Sequence, residues 1–202
     1  MSAKLTLKER KREAIISAAV ELFLQHGFQN TSMDTICAHA EVSKRTLYNH
    51  FASKELLFQA IAQQMFDHCA EVTGISYQAE EALEKQLMAF ADKEIALLQS
   101  EQFMRLARMM LAECIQSPEL SAKAMSEMND QEQGLEAWIV QAQSDGRLQQ
   151  ADVSYAANQF IALIKAHAFW PQVLMGMPAP DDQLQQQIKE DAVLMFLARY
   201  KI

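Results

Sequence analysis

The chain has 202 residues, half of them apolar, only five glycines and four prolines, and a net charge of −8. That length allows one sizeable core, or one small and one medium domain. The abundance of Ala, Leu, Gln, Glu and Met, with no alternating stretch bounded by turn residues, argues against strands and predicts an all-α fold. Three cysteines (Cys37, Cys69, Cys114) stand far apart in no metal-ligand spacing, which suits a reducing compartment, and a cytoplasmic location is expected.

A first helix is predicted from about Leu7 to His26, with Ile15, Ala18, Ala19, Leu22 and Phe23 on one face. Gly27 follows where a left-handed cap needs a residue without a Cβ, and Phe28 can fold back on the last turn. Thr31 or Ser32 can cap a second, short helix from Met33 to about Ala40. Glu41-Val42-Ser43 then forms a three-residue turn. Ser43 caps a third short helix ending near His50, with Leu47 and Phe51 inward. Ser53-Lys54-Glu55-Leu56 opens a long fourth helix to about Val72.

After a looser segment, helical stretches are predicted at about 80–99, 102–115, 118–144, 152–175 and 181–200. Ser117-Pro118-Glu119 places a cap, a first-turn proline and a first-turn acid in favoured order, and Leu120, Ala124, Met128, Leu135, Trp138 and Ala142 form an apolar stripe. The stretch from Asp152 to Met175 is apolar nearly all round, so one side is expected to meet its own core and the other a second subunit. Pro171 removes the amide that would bond the His167 carbonyl, so a kink is expected there. The last helix, with Leu184, Ile188, Ala192, Met195, Phe196 and Tyr200, is amphipathic.

The first thirteen residues carry charge and lack an apolar core of signal-peptide length. The most apolar stretch, from Phe160 to Met177, is broken by Lys165, His167 and Pro171, so no membrane span is expected. Charge is unevenly spread. Residues 1–54 hold eight Lys/Arg against five Asp/Glu, and residues 55–202 hold ten against twenty-one. A front of +3 on a remainder of −11 suggests that only the front meets a polyanion.

Two short helices joined by a tight turn, with a longer helix before them, form a helix-turn-helix arrangement, here at about residues 31–50. With Ile36, Ala40, Val42 and Leu47 inward, Lys44, Arg45, Thr46, Tyr48, Asn49 and His50 point largely outward. Each can donate a hydrogen bond, and none is acidic. Ser43-Lys44-Arg45-Thr46-Leu47-Tyr48-Asn49-His50-Phe51 followed by Ser53-Lys54-Glu55-Leu56-Leu57 resembles the DNA-binding domain of TetR-family regulators. The preceding Leu22-Phe23, His26-Gly27-Phe28, Thr31-Ser32, Ile36-Cys37 and Ala40-Glu41-Val42 match the rest of that domain in order.

The resemblance implies a DNA-binding domain over residues 9–69 and a ligand-sensing and dimerisation domain over 76–202. It implies that Lys44 and Thr46 face the groove with Arg45 beside them, and that Tyr48, His50 and Lys54 bond phosphates. Thr31 and Ser32 would cap the second helix near the backbone, and Ser43 and Asn49 complete the DNA-facing set. Arg10, Lys11 and Arg12 can add charge beside it. Many family members have glycine in the turn where this chain has Glu41. A non-glycine residue at positive φ costs about 1 kcal/mol, so a slightly different turn is expected.

Phe103-Met104-Arg105-Leu106, Glu113 and Pro118-Glu119-Leu120, with Phe160-Ile161-Ala162-Leu163-Ile164 and Phe169-Trp170-Pro171, are similar to the AefR-like branch of ligand domains. The family pattern implies a homodimer paired through its last two helices on a pseudo-palindromic double-stranded DNA operator. It also implies a repressor output and release by an apolar or amphipathic small-molecule effector. Nine of the twelve methionines lie beyond residue 72, and flexible thioethers suit an adaptable cavity. Met109, Met110, Cys114, Trp138, Phe160, Ile164 and His167 are its candidate lining; ordinary core packing is the competing reading. No cofactor is expected. No catalytic constellation, metal-ligand cluster or glycine-rich phosphate loop is visible, which argues against an enzyme.

Overall fold

The computed structural model describes residues 6–117 and 134–202. Among them are ten helices: α1 (Leu7–His26), α2 (Met33–His39), α3 (Lys44–His50), α4 (Lys54–Thr73), α5 (Leu83–Gln99), α6 (Glu101–Gln116), α7 (Gly134–Ser144), α8 (Val153–Ala168), α9 (Trp170–Met175) and α10 (Asp182–Tyr200). An isolated antiparallel bridge joins Leu148 to Lys201. The fold is all-α, as composition and periodicity predicted. The expected first-turn proline Pro118 and acid Glu119, and the inward positions Leu120, Ala124 and Met128, lie outside the described residues.

The chain forms two compact units, and they are not consecutive blocks. Of the described residues, 6–66 and 105–117 make the first, and 67–104 and 134–202 make the second. The division falls inside α4 and α6 rather than in the loop after residue 73. Met109 and Met110 explain the assignment of later α6, because both are buried in the core of the first unit.

In the first unit, α1 is opened by a capping box: the Thr6 hydroxyl accepts from the Glu9 amide, and the Glu9 carboxylate accepts from the Thr6 amide. Its predicted stripe is buried, with Ile16 added. Gly27 ends the helix at φ 79° and ψ 159°, a combination open essentially to glycine alone, rather than in the left-handed cap expected. The chain reverses there, and Phe28 stacks between Phe23 and Phe58 at 5.1 and 5.2 Å. Ile36, Leu47, Phe51, Leu57 and Ile61 close the core from α2, α3, the turn after α3, and α4.

The second unit is built on α5, α8 and α10. Phe90, Phe160, Phe196 and Tyr200 form a continuous run of ring contacts at 5.8, 5.3 and 4.8 Å. Trp138 of α7 is fully buried, and its indole N–H donates to Gln86 Oε1 at 2.8 Å. The Gln86 amide in turn donates to the carbonyls of Gln78 and Glu81, so this buried polar group is satisfied. Arg147 holds the same loop through the carbonyls of Ala79 and Glu81. Glu94 is 5% exposed and faces Lys165 at 3.5 Å; burial raises its pKa above the ordinary carboxylate value, and Lys165 opposes that.

The predicted helix over 152–175 is two helices. α8 ends at Ala168, Phe169 leaves helical geometry, and α9 begins at Trp170 with Pro171 in its first turn. A proline at the start of a helix lacks an amide that would have no partner anyway, so the chain breaks before Pro171 instead of bending at it.

The turn between α2 and α3 holds a non-glycine residue in the left-handed region. Glu41 sits at φ 51°, the one non-glycine residue at positive φ among the described residues. Glu41→Gly removes that strain, partly offset by greater freedom of the unfolded chain, and should raise stability by about 0.5–1 kcal/mol. Thermal unfolding followed by circular dichroism checks this; a lower midpoint would show that Glu41 is not strained.

Candidate nucleic-acid interface

The site is α3 and what holds it. Two serines start the short helices: Ser32 Oγ accepts from the Thr35 amide at 3.0 Å, and Ser43 Oγ accepts from the Thr46 amide at 3.1 Å. Each hydroxyl also pairs with the threonine three residues on, Ser32 with Thr35 and Ser43 with Thr46. Leu47 is 0% exposed and anchors α3, while Lys44, Arg45, Tyr48 and Asn49 are exposed and Thr46 and His50 half-buried. Tyr48 is 49% exposed although aromatic, because Leu47 and Phe51 already occupy the inward side.

Around this face the charges are arranged unevenly. Lys44 Nζ donates to Asp34 Oδ2 of α2 at 2.7 Å, and that hydrogen bond, with the attraction behind it, raises the lysine pKa. His39 of α2 lies 2.8 Å from Glu21 of α1. At the other end of α3, His50 is held below the ordinary histidine pKa by burial first, and then by the positive charges of Lys8, Arg12 and Lys11. The start of α1 is therefore beside the end of α3. The Arg12 guanidinium lies over the Phe51 ring at 5.4 Å. Sequence reading placed Lys11 and Arg12 near the site but missed Lys8 and Asp34. The acid at the second position of α2 is the signal that was available.

Two candidates have other roles. Thr31 is 2% exposed; its hydroxyl donates to the Gly27 carbonyl at 2.9 Å and lies 3.3 Å from the Leu22 carbonyl. It closes the end of α1, and Ser32 alone caps α2. Lys54 turns its ammonium inward onto the carbonyls of Phe28 (2.6 Å), Thr31 (2.9 Å) and Gln29 (3.3 Å), 4.4 Å over the Phe28 ring. All its donors are engaged in tying α4 to the loop after α1, and burial lowers its pKa. In the protein alone its ammonium is held in this staple rather than turned outward toward a phosphate. Gln29 joins the same loop to Glu113 of α6 at 2.9 Å.

The seven candidate lining residues are not gathered in one place within either unit. Met109 and Met110 are core residues of the first unit, and Cys114 of that unit is half-buried. Trp138, Phe160 and Ile164 are all 0% exposed in the core of the second. His167 is exposed on α8, in a shallow groove with Leu163, Leu184, Ile188, Asp191 and Met195.

Because Lys54 is a staple, Lys54→Met should lower the stability of the protein by about 2 kcal/mol, the scale of charge-assisted hydrogen bonds. Urea unfolding measures the loss. Unaltered stability together with a shallower salt dependence of DNA binding would return Lys54 to the phosphate role.

Comparison with known proteins places this geometry. Residues 15–61 match the family model described as bacterial regulatory proteins, tetR family, and residues 85–202 match the AefR-like transcriptional repressor, C-terminal domain. The chain is 42% identical to a TetR family transcriptional regulator from Pseudomonas syringae pv. tomato str. DC3000, covering 97% of this chain and all of that one with a TM-score of 0.81. The flavonoid-responsive regulator FrrA is 26% identical, over 95% of this chain and 97% of that one, with a TM-score of 0.79. The HTH-type transcriptional regulator UidR of Escherichia coli (strain K12) is 49% identical over 53 residues, 26% of this chain and 27% of UidR. The chain thus spans about a quarter of the length of the curated relatives it matches. An anchored α3 with an exposed donor face, the two matched domains and the full-length likeness have one consequence: the chain belongs to the TetR family of helix-turn-helix transcriptional regulators.

Proposed function

We propose that the protein is a cytoplasmic, homodimeric repressor that occupies a pseudo-palindromic operator through α3 of each subunit and leaves it when a small molecule binds. The observation that carries this reading is the state of α3. Leu47 locks it in place, while Lys44, Arg45, Tyr48 and Asn49 stand exposed with no acid on the same helix. A rigid row of donors suits base edges and phosphates in a major groove.

The dimer reading is supported by the outer faces of α8 to α10. Leu194 is 68% exposed, Met195 56% and Leu174 65%, and Leu163 and Leu184 line the shallow groove. Apolar side chains grouped in this way mark an interaction surface, and two-fold pairing would present two copies of α3 to successive grooves. A repressor output is supported by the description of the C-terminal family model, and an apolar or amphipathic effector by the flavonoid response in FrrA's name. Such an effector shifts the dimer between a DNA-competent and an incompetent state only by its difference in affinity for the two.

Selection of bound duplexes from a random pool with the purified protein tests the reading. The expected product is a palindrome with half-sites about 10 base pairs apart, or a multiple of that. A monomer that retains no duplex at low ionic strength would overturn it. Arg45→Ala should relax base preference within each half-site; selected sequences identical to the parent's would remove Arg45 from base reading. Leu184→Asp combined with Met195→Asp should give a folded monomer by sedimentation, since neither side chain is needed inside the subunit. A dimer unaffected by both changes would move the interface elsewhere.

A further inference from the structure

Asp34 is an acid on the surface meant for a polyanion, and the function proposed above does not use it. It is exposed, it lies on α2 rather than on α3, and its Oδ2 accepts from Lys44 Nζ at 2.7 Å. An isolated surface pair of this kind contributes little to stability, so the pair is better explained by what it does to Lys44 on DNA. We propose that Asp34 is a positioning residue for sequence selectivity: it holds Lys44 away from phosphates and directs it to acceptors on a base edge.

This role rests on the reading of α3 as the recognition helix and on what each DNA partner demands of the ammonium. For its charge to count against a phosphate, Lys44 must give up its pairing with Asp34, because an ammonium bridging the two brings the carboxylate's opposing charge to the phosphate as well. A base edge makes no such demand. An ammonium has three donors, so one N–H can stay on Asp34 while others reach the paired acceptors O6 and N7 of a guanine. The same side chain is therefore weak as a general phosphate clamp and effective where a guanine stands opposite. Asp34 reduces binding to arbitrary DNA more than binding to the operator, and selectivity is the ratio of the two.

The test uses the full-length protein, a duplex of random sequence, and the duplex recovered by selection with the parent. Asp34→Asn keeps the side chain's size and removes its charge. It should bind the random duplex several-fold more tightly. The salt dependence of that binding should steepen by about 0.9 in log–log slope, a gain that grows about threefold for each fourfold dilution of salt. Affinity for the selected duplex should rise less, so the ratio between them falls. Asp34→Glu, which keeps the carboxylate on an exposed side chain, should restore the parent's ratio and slope. In the Lys44→Gln background, Asp34→Asn should not steepen the slope, because no ammonium is left to release.

Equal effects of Asp34→Asn with and without Lys44 would overturn the proposal. So would an unchanged salt slope accompanied by loss of one base preference, the result expected if Asp34 itself accepts from a cytosine amino group. Failure of the parent protein to bind any duplex would instead sink the reading of α3 on which the inference stands. Matching thermal midpoints for parent and Asp34→Asn separate all these outcomes from a folding defect.

Discussion

The face that α3 offers depends on one side chain held in the core. A seven-residue helix does not persist alone in water, where nucleation is unfavourable and segments under about a dozen residues are marginal. α3 is stable because Leu47 is wholly buried and Phe51, its C-cap, is nearly so, in the cluster that holds Phe23, Ile36, Phe58 and Ile61. With Leu47 inward, the 3.6-residue period leaves Lys44, Arg45, Tyr48 and Asn49 outside. Packing therefore sets the rotation of α3, and rotation sets which donors a groove can meet.

The polar residues around α3 divide by the task the backbone imposes on them. Ends of helices leave amides and carbonyls without partners, and burial makes an unpaired group expensive. Ser32 and Ser43 answer the first need, while Thr31 and Lys54 answer the second at the end of α1. These four residues build the platform. The residues displayed on it are those with no such obligation: Arg45, Tyr48 and Asn49.

This division also marks what sequence reading could and could not resolve. The α1 stripe, the end of α1 at Gly27 and the Ser43 cap were legible because their causes lie within a few residues of one another, whereas Thr31 and Ser32 stood as equal candidates for the α2 cap. The carbonyl contacts of Lys54 were not legible because its partners lie 23 to 26 residues earlier, and a lysine opening a helix beside a DNA-facing segment reads as a phosphate ligand. The Asp34–Lys44 pair joins separate helices, and the acid at the second position of α2 was its one sign along the chain. Met109 and Met110 were candidates for cavity lining with core packing as the competing reading, since a thioether in a core and one in a pocket read alike along the chain. Pro171 announced a break but not which side of it the chain would leave the helix.

Charge in the first unit acts differently from its bare count. Of the eight cations in residues 1–54, Lys44 is occupied by Asp34 and Lys54 by three carbonyls, and Arg12 lies 3.6 Å from Glu13. Arg45 and Lys11 have no ionic partner among the described residues. These pairings leave the net of +3 unchanged, since it already counts Asp34 and Glu13, but they leave fewer cations free to reach phosphates, and the acidic remainder of the chain opposes attraction further. Residence then has to come from contacts that depend on base identity, made by donors whose positions the core has already settled.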